Sequence, residues 1–364
     1  MAVKVLVVDD SALMRKHLTG LLTQAGFEVV LARNGQEAVE QVMAVKPDVV
    51  TLDINMPEMD GLTALSQIMT VRPTPVVMVS SLTNKGALAT LEALAMGAVD
   101  YVAKPGGTIS LSIEDIADDL VRKVRAASTA RMKGMRTRAE VNTRLHEPQP
   151  SAAGSARTLR TPVPATNSAP RHTGHFGLVI IGVSTGGPRT LEEILPSLPA
   201  SFPWAVLVAQ HMPGSFTKAF AQRMDTLCQM RVREAGPLDE IEPGTVTIAR
   251  GGTDLVVTNR GGRLFTTSRP ESSAHLWHPS VDVLMDSAMA HVAIDKLMGV
   301  QLTGMGYDGA AAMATLHQKG GQTIAESEDS AVVFGMPKEL IARGGASVIL
   351  PAGKVAGQIL RWVR

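Results

Sequence analysis

Apolar residues fall on consecutive positions, not alternate ones, in VKVLVV (3–8), around VV at 49–52, in PVVMVS (75–80) and in VDYVAK (99–104). A strand with one wet face alternates. A contiguous run marks a strand buried on both faces, which requires a parallel sheet covered by helices. The segments between them, ALMRKHLTGLLTQAG, GQEAVEQVMAV and NKGALATLEALAMG, space their apolar residues as helices do, and the first and third stop at Gly. Residues 1–122 therefore read as an open, doubly wound α/β domain of the flavodoxin-like kind.

The same pattern returns over 175–364. GLVIIGV, WAVLVAQ, TVTIA, DLVVT, LMGVQLTG, QTIAE and SVIL are strand candidates, and helical patterns follow 188, 214, 279 and 308. NRGGR, within the Gly-rich stretch 243–263, signals a hairpin turn. This half reads as a second doubly wound α/β domain with a mostly parallel sheet. Between the two, 123–174 is a composition break, and eleven Lys/Arg stand against two Asp/Glu over 122–172. Its start can prolong the last helix of the first domain. The rest lacks the apolar mass to pack and reads as a tether. Nucleic-acid binding is disfavoured because the segment has no aromatic residue on which bases could stack. No helix-turn-helix pattern follows 175.

The formal net charge of +1 gives no global pull toward polyanions. Cys228, the single cysteine, forms no internal disulfide and fits a reducing cytoplasm; a small buried apolar role is expected for it. The N-terminus lacks the pattern of a signal peptide, and no apolar stretch approaches the ~20 residues of a membrane span.

Polar residues close the apolar runs. Asp9, Asp10 and Asp53 end strands of the first domain, as do Ser80 and Lys104. In an open α/β sheet these ends line the ligand crevice. Converging carboxylates repel one another and call for a hard divalent cation such as Mg²⁺. A carboxylate beside such a cation can accept a phosphoryl group. Alternatively, Asp9 and Asp10 are helix caps and Lys104 is a surface charge. In the second domain GVSTG presents Ser184 after a buried strand, a neighbouring strand ends at His211, and the Gly-rich turn LTGMGYDG carries Asp308. A serine hydroxyl needs a base, and the base needs a carboxylate to fix its tautomer. A phosphate-binding loop is the competing reading, but neither G-x-G-x-x-G nor a Walker lysine is present. Thr185 or Gly187 suits the cap of the following helix better than Ser184. Asp282 can cap the helix beginning near 280, and His275 and His278 read as a wall of the site.

VVDDS, LDINMPEMDGL, MVS and YVAKP resemble response-regulator receiver domains. The resemblance implies that Asp53 is phosphorylated and that Asp9, Asp10, Asp53 and the backbone carbonyl of Asn55 hold Mg²⁺. It also implies that Ser80 and Lys104 clamp the phosphoryl group, that Tyr101 is the aromatic switch, and that the Lys104–Pro105 bond is cis. IGVSTGGP, QHMPGSFTKAFAQRM, HPSVDVLM and LTGMGYDGA resemble the chemotaxis protein-glutamate methylesterases of the CheB family. That resemblance implies a cofactor-free esterase with Ser184, His211 and Asp308 as its triad and Thr185 and Met305 near substrate or oxyanion. Demethylation, and deamidation of glutamines, on the cytoplasmic helices of methyl-accepting chemotaxis receptors is the implied activity. A CheA-type histidine kinase would be the phosphodonor, and the unphosphorylated receiver would cover the triad. A cytoplasmic monomer without membrane insertion is expected. Val183 and His278 depart from the family pattern, which commonly has Ala and a basic residue there. The first would crowd the serine turn, and the second would alter contact with an acidic receptor helix.

Overall fold

The computed structural model describes residues 2–81, 83–104, 114–130, 132 and 176–363. The first sheet contains β1 (Lys4–Val8), β2 (Glu28–Ala32), β3 (Val49–Asp53), β4 (Val76–Ser81) and β5 (Asp100–Lys104), in the spatial order β2-β1-β3-β4-β5 with every pair parallel. Helices α1 (Ala12–Gln24), α2 (Gly35–Val45), α3 (Gly61–Val71), α4 (Asn84–Met96) and α5 (Glu114–Ser128) connect and cover it. The contiguous runs are buried as expected: Val5, Leu6 and Val7 of β1 and Val76, Val77 and Met78 of β4 have no exposure. β2 is absent from the apolar runs because it is the edge strand, and most of its residues are partly exposed. Ser11 caps α1, its hydroxyl accepting from the Met14 N–H, so neither Asp9 nor Asp10 serves as the cap. α5 runs to Ser128, past 122. Most of the tether, and the Lys104–Pro105 bond, lie outside the described residues.

The second domain is built on a seven-stranded, all-parallel sheet. It comprises β6 (Leu178–Val183), β7 (Ala205–Gln210), β8 (Arg231–Glu234), β10 (Thr245–Ile248), β13 (Leu297–Gln301), β14 (Gln322–Glu326) and β15 (Val348–Leu350). Their spatial order is β15-β14-β13-β6-β7-β10-β8. Helices α6 (Gly187–Ile194), α7 (Gly214–Leu227), α8 (Val281–Met289), α9 (Ala310–Gln318) and α10 (Met336–Ala342) lie between its strands, and α11 (Ala352–Trp362) follows the last of them. A separate antiparallel sheet joins β9 (Leu238–Glu240) to the hairpin β11 (Asp254–Arg260) and β12 (Arg263–Arg269). That hairpin turns at Gly261 and Gly262, both at positive φ, where NRGGR signals it.

The two domains share a hydrophobic cluster that runs from Met96, Ala98 and Tyr101 to Phe216 and Phe220. The Tyr101 and Phe216 rings lie 4.5 Å apart. No helix among the described residues is long and apolar enough to cross a membrane.

Candidate active site

β6 is wholly buried and ends at Val183, delivering Ser184 to the carboxyl edge of the sheet. Gly186 follows at φ 79° and is the residue that caps α6, displacing Thr185 and Gly187 from that role. A Cβ at Gly186 would lie 2.6 Å from the Val332 Cβ, so both conformation and space exclude a side chain there. β7 pairs with β6 in parallel, with Val183 opposite Gln210 as the last pair. Ser184 and His211 therefore leave adjacent strands at the same level, where neighbouring chains run roughly 4.8 Å apart. The Gln210 amide donates to the carbonyls of both Ser184 and His211, at 3.0 Å each, and so ties the two turns together.

On the other side of β6, β13 leads to Asp308. The His211 Nε2 lies 2.8 Å from Asp308 Oδ2. The same carboxylate accepts from the Ser280 hydroxyl at 2.9 Å, the Val281 N–H at 2.7 Å and the Asp282 N–H at 3.2 Å. Burial pushes this carboxyl upward, but the His211 hydrogen bond and charge and the two backbone donors outweigh it and hold Asp308 below the ordinary carboxylate range. An ionised Asp308 accepts the Nε2 proton. Nδ1 is then the lone-pair nitrogen, and it is buried with no hydrogen-bond partner among the described residues. No hydrogen bond joins it to the Ser184 hydroxyl among the described residues. Trp277 stacks on the His211 ring, 5.6 Å away and 3° from parallel, and Tyr307 meets Trp277 edge-on.

A cavity of about 440 Å³ is lined by Ser184, His211, Trp277 and Met305, and on its far wall by Asp100, Arg122 and Lys123 of the first domain. The first domain reaches the serine turn directly: the Gly186 N–H donates to the Val99 carbonyl at 3.1 Å, and the Thr185 hydroxyl donates to Asp100 Oδ2. Thr185, expected beside the oxyanion, thus spends its hydroxyl on the opposing domain. The His211 N–H donates to the Val183 carbonyl at 3.0 Å and is unavailable to an oxyanion. Ser280, not Asp282, caps α8. His278 lines the cavity and its Nδ1 lies 3.0 Å from both oxygens of Asp254, whereas His275, 3.5 Å from the Ser280 hydroxyl, is not among the lining residues. His278–Pro279 is a cis peptide. Val183 is fully buried, and its Cγ2 lies 2.5 Å from where a Cβ on Gly187 would stand. Cys228 is half-buried and packs at the edge of the core rather than within it.

In the first domain Asp9, Asp10 and Asp53 place one carboxylate oxygen each within 4.8 Å of one another. Lys104 is not a loose surface charge: its ammonium lies 2.9 Å from Asp9 and 2.8 Å from Asp53. Burial raises the Asp53 carboxyl, with the Lys104 charge opposing. Three clustered carboxylates, two of them on one ammonium, fit a hard divalent cation held by oxygen ligands. Asn55, two residues past β3, donates its N–H to Asp53 at 3.4 Å. Ser80 ends fully buried, its hydroxyl 3.3 Å from the Gly86 carbonyl. Tyr101 is buried, and its hydroxyl has no partner among the described residues.

Sequence reasoning missed Gln210, Ser280 and Asp100. Ser280 carried a usable signal, as a serine directly before a helical pattern. Asp100 carried none, since its partner lies in the other domain.

Residues 179–359 match the family model of the CheB methylesterase, and residues 5–113 match that of the response regulator receiver domain. A Rhodospirillum rubrum protein named protein-glutamate methylesterase/protein-glutamine glutaminase 3 is 52% identical, over 99% of this chain and 96% of its own length. A Rhodopseudomonas palustris protein named protein-glutamate methylesterase/protein-glutamine glutaminase 2 is 46% identical over 99% and 98%. The crystal structure of the CheB methylesterase catalytic domain of Thermotoga maritima is similar at 39% identity and TM-score 0.50, covering 52% of this chain and 99% of its own.

Proposed function

Because the chain belongs to the CheB methylesterase family and joins that domain to a receiver, we propose that it is a phosphorylation-activated protein-glutamate methylesterase and protein-glutamine deamidase of chemotaxis adaptation. Its substrates are the cytoplasmic helices of methyl-accepting receptors. Its phosphodonor is a CheA-type histidine kinase, and it works as a monomer in the cytoplasm. We assign 1–122 to the receiver, 123–174 to the tether and 175–364 to the esterase.

The observation that carries this reading is the 2.8 Å His211–Asp308 pair, set one strand from Ser184 with an unpartnered Nδ1. A Ser184 rotamer turned toward Nδ1 completes the line. The hydroxyl oxygen then attacks the γ-carbonyl of the methyl ester while Nδ1 takes its proton. The oxyanion is met by the Met305 N–H, for which no acceptor is present among the described residues. As the tetrahedral intermediate collapses, the C–OCH₃ bond breaks and the imidazolium returns the proton to methanol. Asp308 stabilises the imidazolium throughout. Water, deprotonated by His211, then cleaves the acyl-serine ester, releasing glutamate and restoring the hydroxyl. With glutamine the leaving group is ammonia.

In the receiver, Asp53 is the phosphoryl acceptor, Asp9 and Asp10 with the Asn55 carbonyl are the Mg²⁺ ligands, and Ser80 and Lys104 hold the phosphoryl oxygens. When bound, the cation neutralises charge on the incoming phosphoryl group. Tyr101, packed on Phe216, is where the phosphoryl site and the domain contact meet. The docked receiver shields Ser184 through Asp100 and Val99, and phosphorylation favours the undocked arrangement. Methanol release from methylated receptor membranes tests the assignment: Ser184→Ala is expected to abolish it, and persistence of the wild-type rate refutes it.

A further inference from the structure

A second buried polar chain meets the serine turn from the sheet side, and the steps above do not use it. Glu326, the last residue of β14, is fully buried, and so is Thr303, just past β13. Glu326 Oε2 accepts the Thr303 N–H at 2.7 Å, and Oε1 accepts the Ser330 hydroxyl at 2.7 Å. Ser330 is fixed in turn by the Ala352 N–H at 2.9 Å.

Thr303 then grips the nucleophile segment at two points. Its carbonyl accepts the Ser184 N–H at 2.9 Å, and its hydroxyl donates to the Thr185 carbonyl at 2.9 Å. That hydroxyl also accepts the Val333 N–H at 3.0 Å. The two grips lie on either side of the Ser184 side chain, so they fix the direction in which its Cβ leaves the backbone. The approach is at contact distance: a Cβ on the next residue, Gly304, would lie 2.7 Å from the Ser184 Cβ. Gly304 leads directly to Met305. One residue therefore sets the spacing between the hydroxyl and the Met305 turn.

Burying a carboxylate costs free energy that an apolar side chain of similar volume would not. The return visible in the structure is orientation, because both Glu326 oxygens are engaged and one of them reaches Ser184 through a single residue. Resting on the esterase reading, we propose that Thr303, braced by Glu326, is a positioning residue that aims the Ser184 hydroxyl during catalysis.

The test uses the full-length chain with a small phosphodonor and Mg²⁺, comparing Thr303→Val, Thr303→Ser and Glu326→Leu with wild type. Valine keeps the shape and loses the grip on Thr185. A displacement of about 1 Å at a reacting group can cost on the order of a hundredfold in rate. The expected result for Thr303→Val is a kcat for methanol release reduced at least about tenfold, with KM within about twofold. Thr303→Ser, which keeps the hydroxyl, restores kcat. An unchanged kcat, a loss confined to KM, or failure of serine to restore the rate overturns the proposal. If the valine variant does not fold, Glu326→Leu carries the test, since it removes the carboxylate that accepts the Thr303 N–H and leaves no acceptor in its place; a wild-type kcat in this variant is the refuting result. The rate at which a phosphonate labels Ser184 is measured on every variant. It reads the brace even if the wild-type chain proves inactive on methyl esters, an outcome that would strike the esterase reading alone.

Discussion

Among the described residues, Asp100 is the receiver carboxylate that touches the serine turn, which makes Asp100→Ala the sharpest probe of docking. Its Oδ2 accepts the Thr185 hydroxyl, its Oδ1 accepts the Tyr101 N–H at 2.8 Å, and Lys123 lies 3.8 Å away. A hydrogen bond to a charged group contributes about 1.5–3 kcal/mol. Desolvation of the buried carboxylate opposes that gain, so the lower end applies. A loss of about 1.5 kcal/mol moves the docked-to-undocked ratio about tenfold. While most molecules are docked, the basal rate follows the undocked fraction, so unphosphorylated Asp100→Ala releases methanol about tenfold faster than wild type. The phosphorylated rates match, and stimulation by the phosphodonor shrinks by the same factor. The pH dependence has a defined sign. Burial raises the Asp100 carboxyl in the docked state, with Lys123 opposing. Protonation thus favours docking, which is strongest below the ordinary carboxylate range and weakens as pH climbs through the raised value. The ratio of variant to wild-type basal rate is therefore largest in acid. An unchanged basal rate with stimulation intact refutes the latch.

Asp308→Asn lets the His211 tautomer invert, and kcat for methanol release is expected to fall on the order of 10⁴-fold with the circular-dichroism spectrum unchanged; a loss under about tenfold contradicts the assigned roles. Asp53→Asn is expected to keep basal methanol release and lose all response to a phosphodonor, and chelating Mg²⁺ from wild type does the same. A response surviving either treatment removes Asp53 from its role. Burial, followed by the charges of Asp225 and Glu192, pushes the Cys228 thiol up to about 12. At pH 8 the folded chain is expected to react with a disulfide reagent far more slowly than the unfolded chain, and equal rates would show an accessible thiolate.

The family resemblance and the strand pattern made most of this protein legible before any fold was known. A strand covered on both faces writes its burial into its own composition, so the parallel strands of both sheets stand out as apolar runs. β2 and β8 escaped because they are edges that carry charged residues in the run, whereas the edge β15 is apolar throughout, and β9 escaped as a short strand of the separate antiparallel sheet. The chemistry was legible only as residue types at strand ends. That Asp308 meets His211, and that Ser184 stands beside it, follows from the spatial order β13-β6-β7, and no local pattern encodes which strands are neighbours. Gln210, Thr303 and Glu326 look in sequence like ordinary polar residues closing apolar runs. Their roles arise from hydrogen bonds made across adjacent strands. Asp100 is the extreme case, because the residue that accepts from Thr185 lies 85 positions away on another domain. Sequence fixes what each strand buries and which groups it can offer at its end. Only tertiary packing decides which of those ends face one another, because a hydrogen bond depends on distances of a few ångströms between segments that the chain itself keeps far apart.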